Sequence, residues 1–350
     1  MNRTFFSTNG NRLARAECGA AGQWTVEYLL ERTNVTCLAA DPYRPNVIYA
    51  GTNGNGVIRS EDRGNSWHPA GMDGQTVKSI AVSPAEPDLI VAGTKPPGVF
   101  ISHDGGSSWA ESQSFQRKRR WYWFSPAERP FTPYVQGIAL SPTDPNVILA
   151  GIEAGAVLRS ADGGKTWAGH LKGAVRDCHS LTFHATDGNW VYEGGGTGAA
   201  YSRDGGVTWQ QPDRASVFEY VWLMVSGGVR RSGRGLDRRY GWAAGADSAR
   251  PEVWYVSASP GPLKAHGGEG KAEAYIYRKM GDAPWQKLDG GLPQPLPHMP
   301  YALLPDHAMP GHLYAGLSNG DIWHTADYGD HCKQLPVNMG TVWLAMILLG

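Results

Sequence analysis

An eight-residue pattern, Ser-x-Asp-x-Gly-x-x-Trp, occurs four times along the chain, at Ser60–Trp67, Ser102–Trp109, Ser160–Trp167 and Ser202–Trp209. One copy would be an ordinary turn, whereas four copies commit the whole chain to a repeat. The chemistry of the octet is local. Asp and Ser side chains bond the turn's own backbone N–H groups, Gly supplies a positive φ, and Trp opens the next strand with a large buried wedge. Each octet therefore predicts a hairpin. Two degenerate copies extend the array: Arg278–Trp285 lacks the Ser and Asp, and Thr325–Cys332 has cysteine in place of the tryptophan.

Upstream of each octet lies a second shared stretch: an apolar strand, a marked turn, another apolar strand and a glycine. It reads LAADPYRPNVIYAG from Leu38, IAVSPAEPDLIVAG from Ile80, IALSPTDPNVILAG from Ile138 and LTFHATDGNWVYEGG from Leu181. Each repeat thus carries four strands. Octet positions at Ala16, Ser60, Ser102, Ser160, Ser202, Arg278 and Thr325 mark seven units, most of them 42 to 47 residues apart. That spacing matches a four-stranded propeller blade of roughly 40–45 residues. The expected fold is an all-β, seven-bladed β-propeller of four-stranded blades, a single domain over residues 1–350.

The two ends explain each other. FFSTNGNRLARAE from Phe5 aligns with YAGTNGNGVIRSE from Tyr49, so the N-terminus supplies the second, third and fourth strands of a blade. Leu344–Met346 aligns with Ile138–Leu140, so the C-terminus supplies the first. N- and C-terminal strands then share one blade and close the ring without an open edge. Two spacings are longer than the rest and mark insertions at about 111–134 and 213–274, expected on the face opposite the octet turns.

Composition fits this reading and excludes several function classes. The 46 glycines, 24 prolines and 14 tryptophans suit many short strands joined by tight turns. Lys+Arg and Asp+Glu are equal at 32 each, so no global field favours a nucleic acid partner or an acidic membrane surface. Met1–Leu13 holds no apolar run of the signal-peptide kind, and the apolar stretches Tyr220–Val225 and Val342–Leu349 are too short to span a bilayer. The expectation is a cytoplasmic monomer with no cofactor. Cys18, Cys37, Cys178 and Cys332 show no metal-ligand spacing, so no metal is expected.

At its octets the chain resembles the Asp-box (BNR-repeat) propellers: sialidases, two-domain xyloglucanases, sortilin-type receptors and photosystem assembly factors. The general likeness is nearest to single-propeller bacterial proteins with sialidase-like repeats, and it covers nearly the whole chain. The resemblance implies a propeller whose Asp boxes are structural turns distant from any active site. It does not carry a sialidase site, because the first strands read RTFFSTNG from Arg3 without that family's arginine motif. Function must come from the site.

Comparing the repeats with one another locates candidates. The residue two before Ile138 corresponds to Thr36, Lys78, Gln136, His179, Trp242, Met299 and Val342 in successive blades, a ring expected at one mouth of the central channel. The unit beginning at Cys178 departs most. Its second strand ends in Glu193 where other blades have Ala50, Ala92, Ala150 and Ala315, and its inner strand is preceded by Arg176 and Asp177. Glu153 joins from the preceding blade, and Asp321 and His298 from the sixth. Glu153, Asp177, His179 and Glu193 are candidate catalytic groups, since paired carboxylates beside a histidine suit glycoside cleavage. Alternatively they form an ion-pair network tying blades together. Lys78, Arg176, His179, Glu193, Trp242, His298, Trp121 and Trp123 are candidate ligand contacts.

The segment Arg117–Phe124 (RKRRWYWF) is either a surface for stacking bases or sugars or a lid packed on the ring, and His266 is expected in an exposed loop. Two functions stay open. The first is a binding propeller that recognises a protein or a carbohydrate on the face opposite the Asp-box turns. The second is a glycoside hydrolase or polysaccharide lyase using the carboxylate and histidine cluster.

Overall fold

The computed structural model describes residues 3–125, 129–211, 235–268 and 270–349, which leaves Tyr220–Val225 and much of the second insertion outside the described residues. The chain forms seven antiparallel sheets in a ring. Blade 1 runs Val35–Ala40, Ile48–Thr52, Val57–Ser60 and His68–Pro69, and blade 2 runs Thr76–Val82, Ile90–Lys95, Val99–Ser102 and Ala110–Glu111. Blade 3 has Val135–Leu140, Ile148–Ile152 and Val157–Ser160, and blade 4 has Cys178–Phe183, Val191–Gly195 and Gly198–Ser202. In these two blades the outermost position is reduced to a backbone bond from Ala168 to Arg159 and to a Tyr201–Gln210 bridge.

Blade 5 holds Tyr240–Ala246, Val253–Ser259, Tyr275–Met280 and Gln286–Lys287; blade 6 holds Pro300–Pro305, Leu313–Leu317, Asp321–Thr325 and Cys332–Asn338. Blade 7 closes the ring, with Met346–Leu349 innermost against Thr4–Asn9, Arg12–Cys18 and Trp24–Leu29. Almost no helix interrupts this order. The helical turns Gln113–Gln116 and Pro262–Ala265 lie in the two inserted regions.

Three details of register differ from the repeat alignment. Phe6 pairs with Ile347 as Ala150 pairs with Ile138, so the closing strand sits three residues further on and Ala345, not Val342, takes the ring position. Leu303 pairs with Ala315, which makes Tyr301, not Met299, the ring residue of blade 6. In blades 5 and 7 the octet begins one residue later than aligned, because Lys279 faces Trp254 and Glu17 faces Thr4 as Ser60 faces Ile48. Strand pairing, which the sequence does not display, decides such slips.

In five of the seven blades a glycine near the end of the second strand is set by close approach between blades. A Cβ on Gly51 would meet Cys37 Sγ at 2.4 Å and Val77 of blade 2 at 2.7 Å, and one on Gly151 would meet Cys178 Sγ of blade 4 at 2.2 Å. Apolar inner strands of neighbouring blades pack there, and the buried clusters lie at these seams. Octet tryptophans add wedges between blades: Trp109 Nε1 donates to the Ala70 carbonyl of blade 1, and Trp167 Nε1 donates to Ser112 Oγ of blade 2.

The octets are closed hydrogen-bond units. Ser160 Oγ donates to Asp162 Oδ1 at 2.8 Å and accepts from Gly164 N–H at 2.8 Å, while Asp162 accepts from the Thr166 amide and hydroxyl. The same bonds recur at Ser60, Ser102, Ser202 and Thr325, where His331 stands for the final hydroxyl residue. Turn amides also bond the loop joining the first two strands, Arg63 N–H to Asn46 and Gly163 N–H to Asn146. Both kinds of turn therefore share one face. The remaining loops cluster on the other, as the Asn53–Thr76 bridge between blades 1 and 2 shows.

Candidate functional site

In blades 1 to 6 each ring residue sits in a β-bulge. The ladder slips between Val35 and Cys37, Val77 and Ser79, Val135 and Gly137, Cys178 and Ser180, Gly241 and Ala244, and Pro300 and Ala302. A bulge leaves one residue unpaired and re-aims its side chain. Here the re-aimed residues are Thr36, Lys78, Gln136, His179, Trp242 and Tyr301.

Blades 3 and 4 are stitched at this mouth. Gly155 N–H donates to the Arg176 carbonyl at 2.7 Å, and Ala154, held in the left-handed region at φ 43°, donates its N–H to Asp177 Oδ1 at 2.9 Å. Asp177 and Glu153 are thereby brought to His179, with one donor atom of each within 4.8 Å of the others. His179 Nδ1 donates to the Gly241 carbonyl at 2.7 Å, and its Nε2 stands 3.6 Å from Asp177 Oδ1. That distance is an ion-pair contact rather than a hydrogen bond.

The environments drive the two carboxylates apart. Burial pushes Glu153 above the usual range, and the neighbouring Asp177 charge adds to this against the pull of His179 and the Tyr134 hydrogen bond. Burial works on Asp177 in the same direction, but the contact with His179 outweighs it and holds Asp177 below its ordinary value. His179, which burial alone would lower, is raised by Asp177 and Glu153.

Glu193 lies behind this group. It is fully buried, its Oε2 accepts the Val175 N–H at 2.7 Å, and its Oε1 has no hydrogen-bond partner beyond weak contact with the Cys178 thiol. Burial pushes its carboxyl well above the usual range.

The other candidates divide. Trp242 packs its ring 4.6 Å from His179, and Lys78 lies over Tyr134, the partner of Glu153, at 4.6 Å. Arg176 is exposed beside Asp177. Trp123 is buried against the blade 3 loop at Gly155, whereas Trp121 is 94% exposed. His298 is half-buried, and Asp321 is bonded by the Asn319 and Asn338 side chains. Among the described residues no hydrogen bond or ion pair joins either to Glu153, Asp177 and His179.

Several participants were not visible in the repeat comparison. Tyr240 packs 4.8 Å from His179, and Tyr301 packs 5.2 Å from Trp242 and 5.3 Å from Trp343. His266 lies in an exposed loop as expected, but it is bonded on both ring nitrogens: Nε2 meets the Tyr240 hydroxyl at 2.8 Å and Nδ1 the Tyr301 hydroxyl at 2.6 Å. The mouth is therefore polar over blades 1 to 4 and aromatic over blades 5 and 6. A cavity of about 340 Å³, lined by residues including Thr36, Thr76, Lys78, Lys95 and Arg129, opens on its polar side. Among the described residues no helix is long and apolar enough to cross a membrane.

Comparison with known proteins supports the architecture. The BNR/Asp-box repeat model matches residues 200–211. Similar solved structures include an ancestral GH74 enzyme, with TM-score 0.60 and 20% identity over 83% of this chain and 36% of that one. They also include YCF48 from Cyanidioschyzon merolae, with TM-score 0.56 and 13% identity over 88% and 87%. A third is YCF48 bound to D1 peptide, with TM-score 0.53 and 14% identity over 86% and 80%. The chain spans less than half the length of the GH74 structures it matches. No curated protein matches it by sequence. At these identities the likeness is one of fold: a seven-bladed propeller built on Asp-box repeats.

Proposed function

We propose that this propeller is a binding module that takes up a segment of a partner protein across the channel mouth opposite the Asp boxes. The observation that carries the reading is the distribution of exposed aromatic surface. Trp121, Tyr122, Phe124 and Phe131 stand out on the insertion between blades 2 and 3, and Trp343 stands out on the connection into blade 7. Tyr43, in a loop on the Asp-box face, is exposed on its own, whereas these five stand on connections of the opposite face, and exposed apolar groups gathered on a rigid scaffold mark a contact surface. The polar cavity beside them supplies groups that could fix orientation. The YCF48 structure with a D1 peptide is a precedent on the same fold for a peptide ligand.

The test is selection of a displayed peptide library on immobilised protein, followed by affinity measurement on wild type and on W121A/Y122A/F124A. Enriched peptides should lose at least tenfold in affinity to the triple variant and keep it for the box variant D162A. Equal affinity for wild type and the triple variant would overturn the reading.

A second reading, glycoside cleavage, is favoured by one observation. Glu153 is raised, Asp177 is lowered, and the two lie together, the separation of acid and base that hydrolysis requires. A panel of chromogenic glycosides decides it: turnover by wild type that E153Q abolishes would replace the binding reading with this one.

A further inference from the structure

We propose that Glu153, Asp177 and His179 form a site for one divalent transition-metal cation, Zn²⁺ or Mn²⁺, at the channel mouth. Two carboxylate oxygens and one imidazole nitrogen lie within 4.8 Å of one another, and among the described residues no other trio of His, Cys, Asp and Glu does so. Donors at roughly 2.1 Å from a tetrahedral ion stand ~3.4 Å apart. The 3.6 Å between His179 Nε2 and Asp177 Oδ1 is close to that spacing, and too long for the two atoms to satisfy each other by a direct hydrogen bond.

Groups outside the trio already hold the donors. Because Nδ1 of His179 donates to the Gly241 carbonyl, Nε2 is the nitrogen left to ligate. The Ala154 amide fixes Asp177, and Tyr134 bonds Glu153. Outer partners of this kind set ring orientation and tautomer at metal sites. The charge count points the same way. Two carboxylates face one imidazole where Glu153 and His179 are both buried. A divalent ion would compensate them.

Asp177 keeps 31% of its side chain exposed, so the ion is reached from the mouth and retains open positions. The imidazole in the donor set favours Zn²⁺ over Mg²⁺ and Ca²⁺, which prefer oxygen donors throughout, and the two carboxylates make Mn²⁺ the alternative. Glu153 and the Asp177–His179 pair come from adjacent blades, which is why no ligand spacing is readable in the sequence.

The experiment is calorimetric titration of chelator-treated full-length protein with ZnCl2, MnCl2, MgCl2 and CaCl2, paired with thermal melting. One equivalent of Zn²⁺ or Mn²⁺ should bind and raise the melting temperature, Zn²⁺ more tightly. D177N should weaken binding by about 10- to 100-fold or more, judged from the effect of outer-shell changes alone. Because H179Q alters a buried residue, D177N, at a half-exposed position, is the decisive variant, and a Co²⁺ absorption spectrum present in wild type and absent in D177N is a second readout. His312 Nδ1 and His324 Nε2, 3.0 Å apart in blade 6, are an adventitious imidazole pair, so H312N must leave binding unchanged. No binding at millimolar cation, binding that D177N leaves intact, or binding that H312N removes would each overturn the inference. No partner is present in this experiment, so its outcome is independent of the binding reading above.

Discussion

Replacing Glu193 by glutamine should remove a pH dependence from the stability of the ring. In the unfolded chain this carboxyl titrates near its ordinary 4.5; in the fold, burial pushes it well above that. The folded state therefore holds a proton that the unfolded state releases. The stabilisation is fully present below pH 4.5 and is lost as pH rises toward the folded value. Over that window each pH unit costs about 1.4 kcal/mol. Glutamine stays uncharged and can still accept the Val175 N–H through its carbonyl oxygen. Other groups titrate in the same range, so the informative quantity is the difference between the two proteins. Urea unfolding at about pH 5 and about pH 6 should show E193Q gaining stability relative to wild type over that step, by no more than the roughly 1 kcal/mol that one proton per pH unit allows. If the difference stayed constant with pH, Glu193 would be ionised in the fold and the account of its burial would be wrong.

The Asp boxes lead to two further expectations. Ser160→Ala leaves the buried Gly164 N–H without its acceptor, and should cost about 1–3 kcal/mol in denaturant unfolding. D162A should likewise lower the melting temperature, with no change in ligand affinity at the mouth. The Ser66 and Ser108 hydroxyls and amides hold Asp62 and Asp104 down at about 2. Their stabilisation is present above the ordinary carboxylate value near 3.8 and is lost as pH falls through about 2. An acid titration followed by circular dichroism should show that loss between about pH 4 and 2, and D62N/D104N should shallow it.

What the sequence made legible follows from which interactions are local. The octet at Ser160–Trp167 is bonded within itself, so its letters announce its structure, and the glycine after Ala50 or Ala150 reports a neighbour that five of the seven blades repeat. The Thr325 octet also keeps its bonds, although cysteine replaces tryptophan, because Thr325, Asp327 and Gly329 suffice for the turn. The site was legible only in part. Glu153, Asp177 and His179 stood out as repeat-breaking charges, but Tyr240, Tyr301 and His266 meet only through packing of blade 5 against blade 6. Nothing local records that meeting. Bulge register was hidden for the same reason, and it moved the ring position from Met299 to Tyr301.

Under the binding reading, the bulge residues set the side from which a ligand would reach the mouth. Thr36, Lys78 and Gln136 are only half-buried, whereas His179, Trp242 and Tyr301 are buried in one another's rings. The mouth is thus closed over blades 4 to 6 and open over blades 1 to 3, the side that carries the cavity with Thr36 and Lys78. Gln136 is well placed for a steric test, because its bulge frees the side chain from the ladder and its Nε2 bond to the His179 carbonyl is long, at 3.4 Å. Gln136→Trp would put a large ring into the open half while leaving the Asp boxes and the blade seams alone. Affinity for peptides selected on wild type should fall at least tenfold, with the melting temperature held within a few degrees of wild type. Unchanged affinity in a folded Q136W protein would mean that the ligand avoids the channel mouth and rests on the insertion alone.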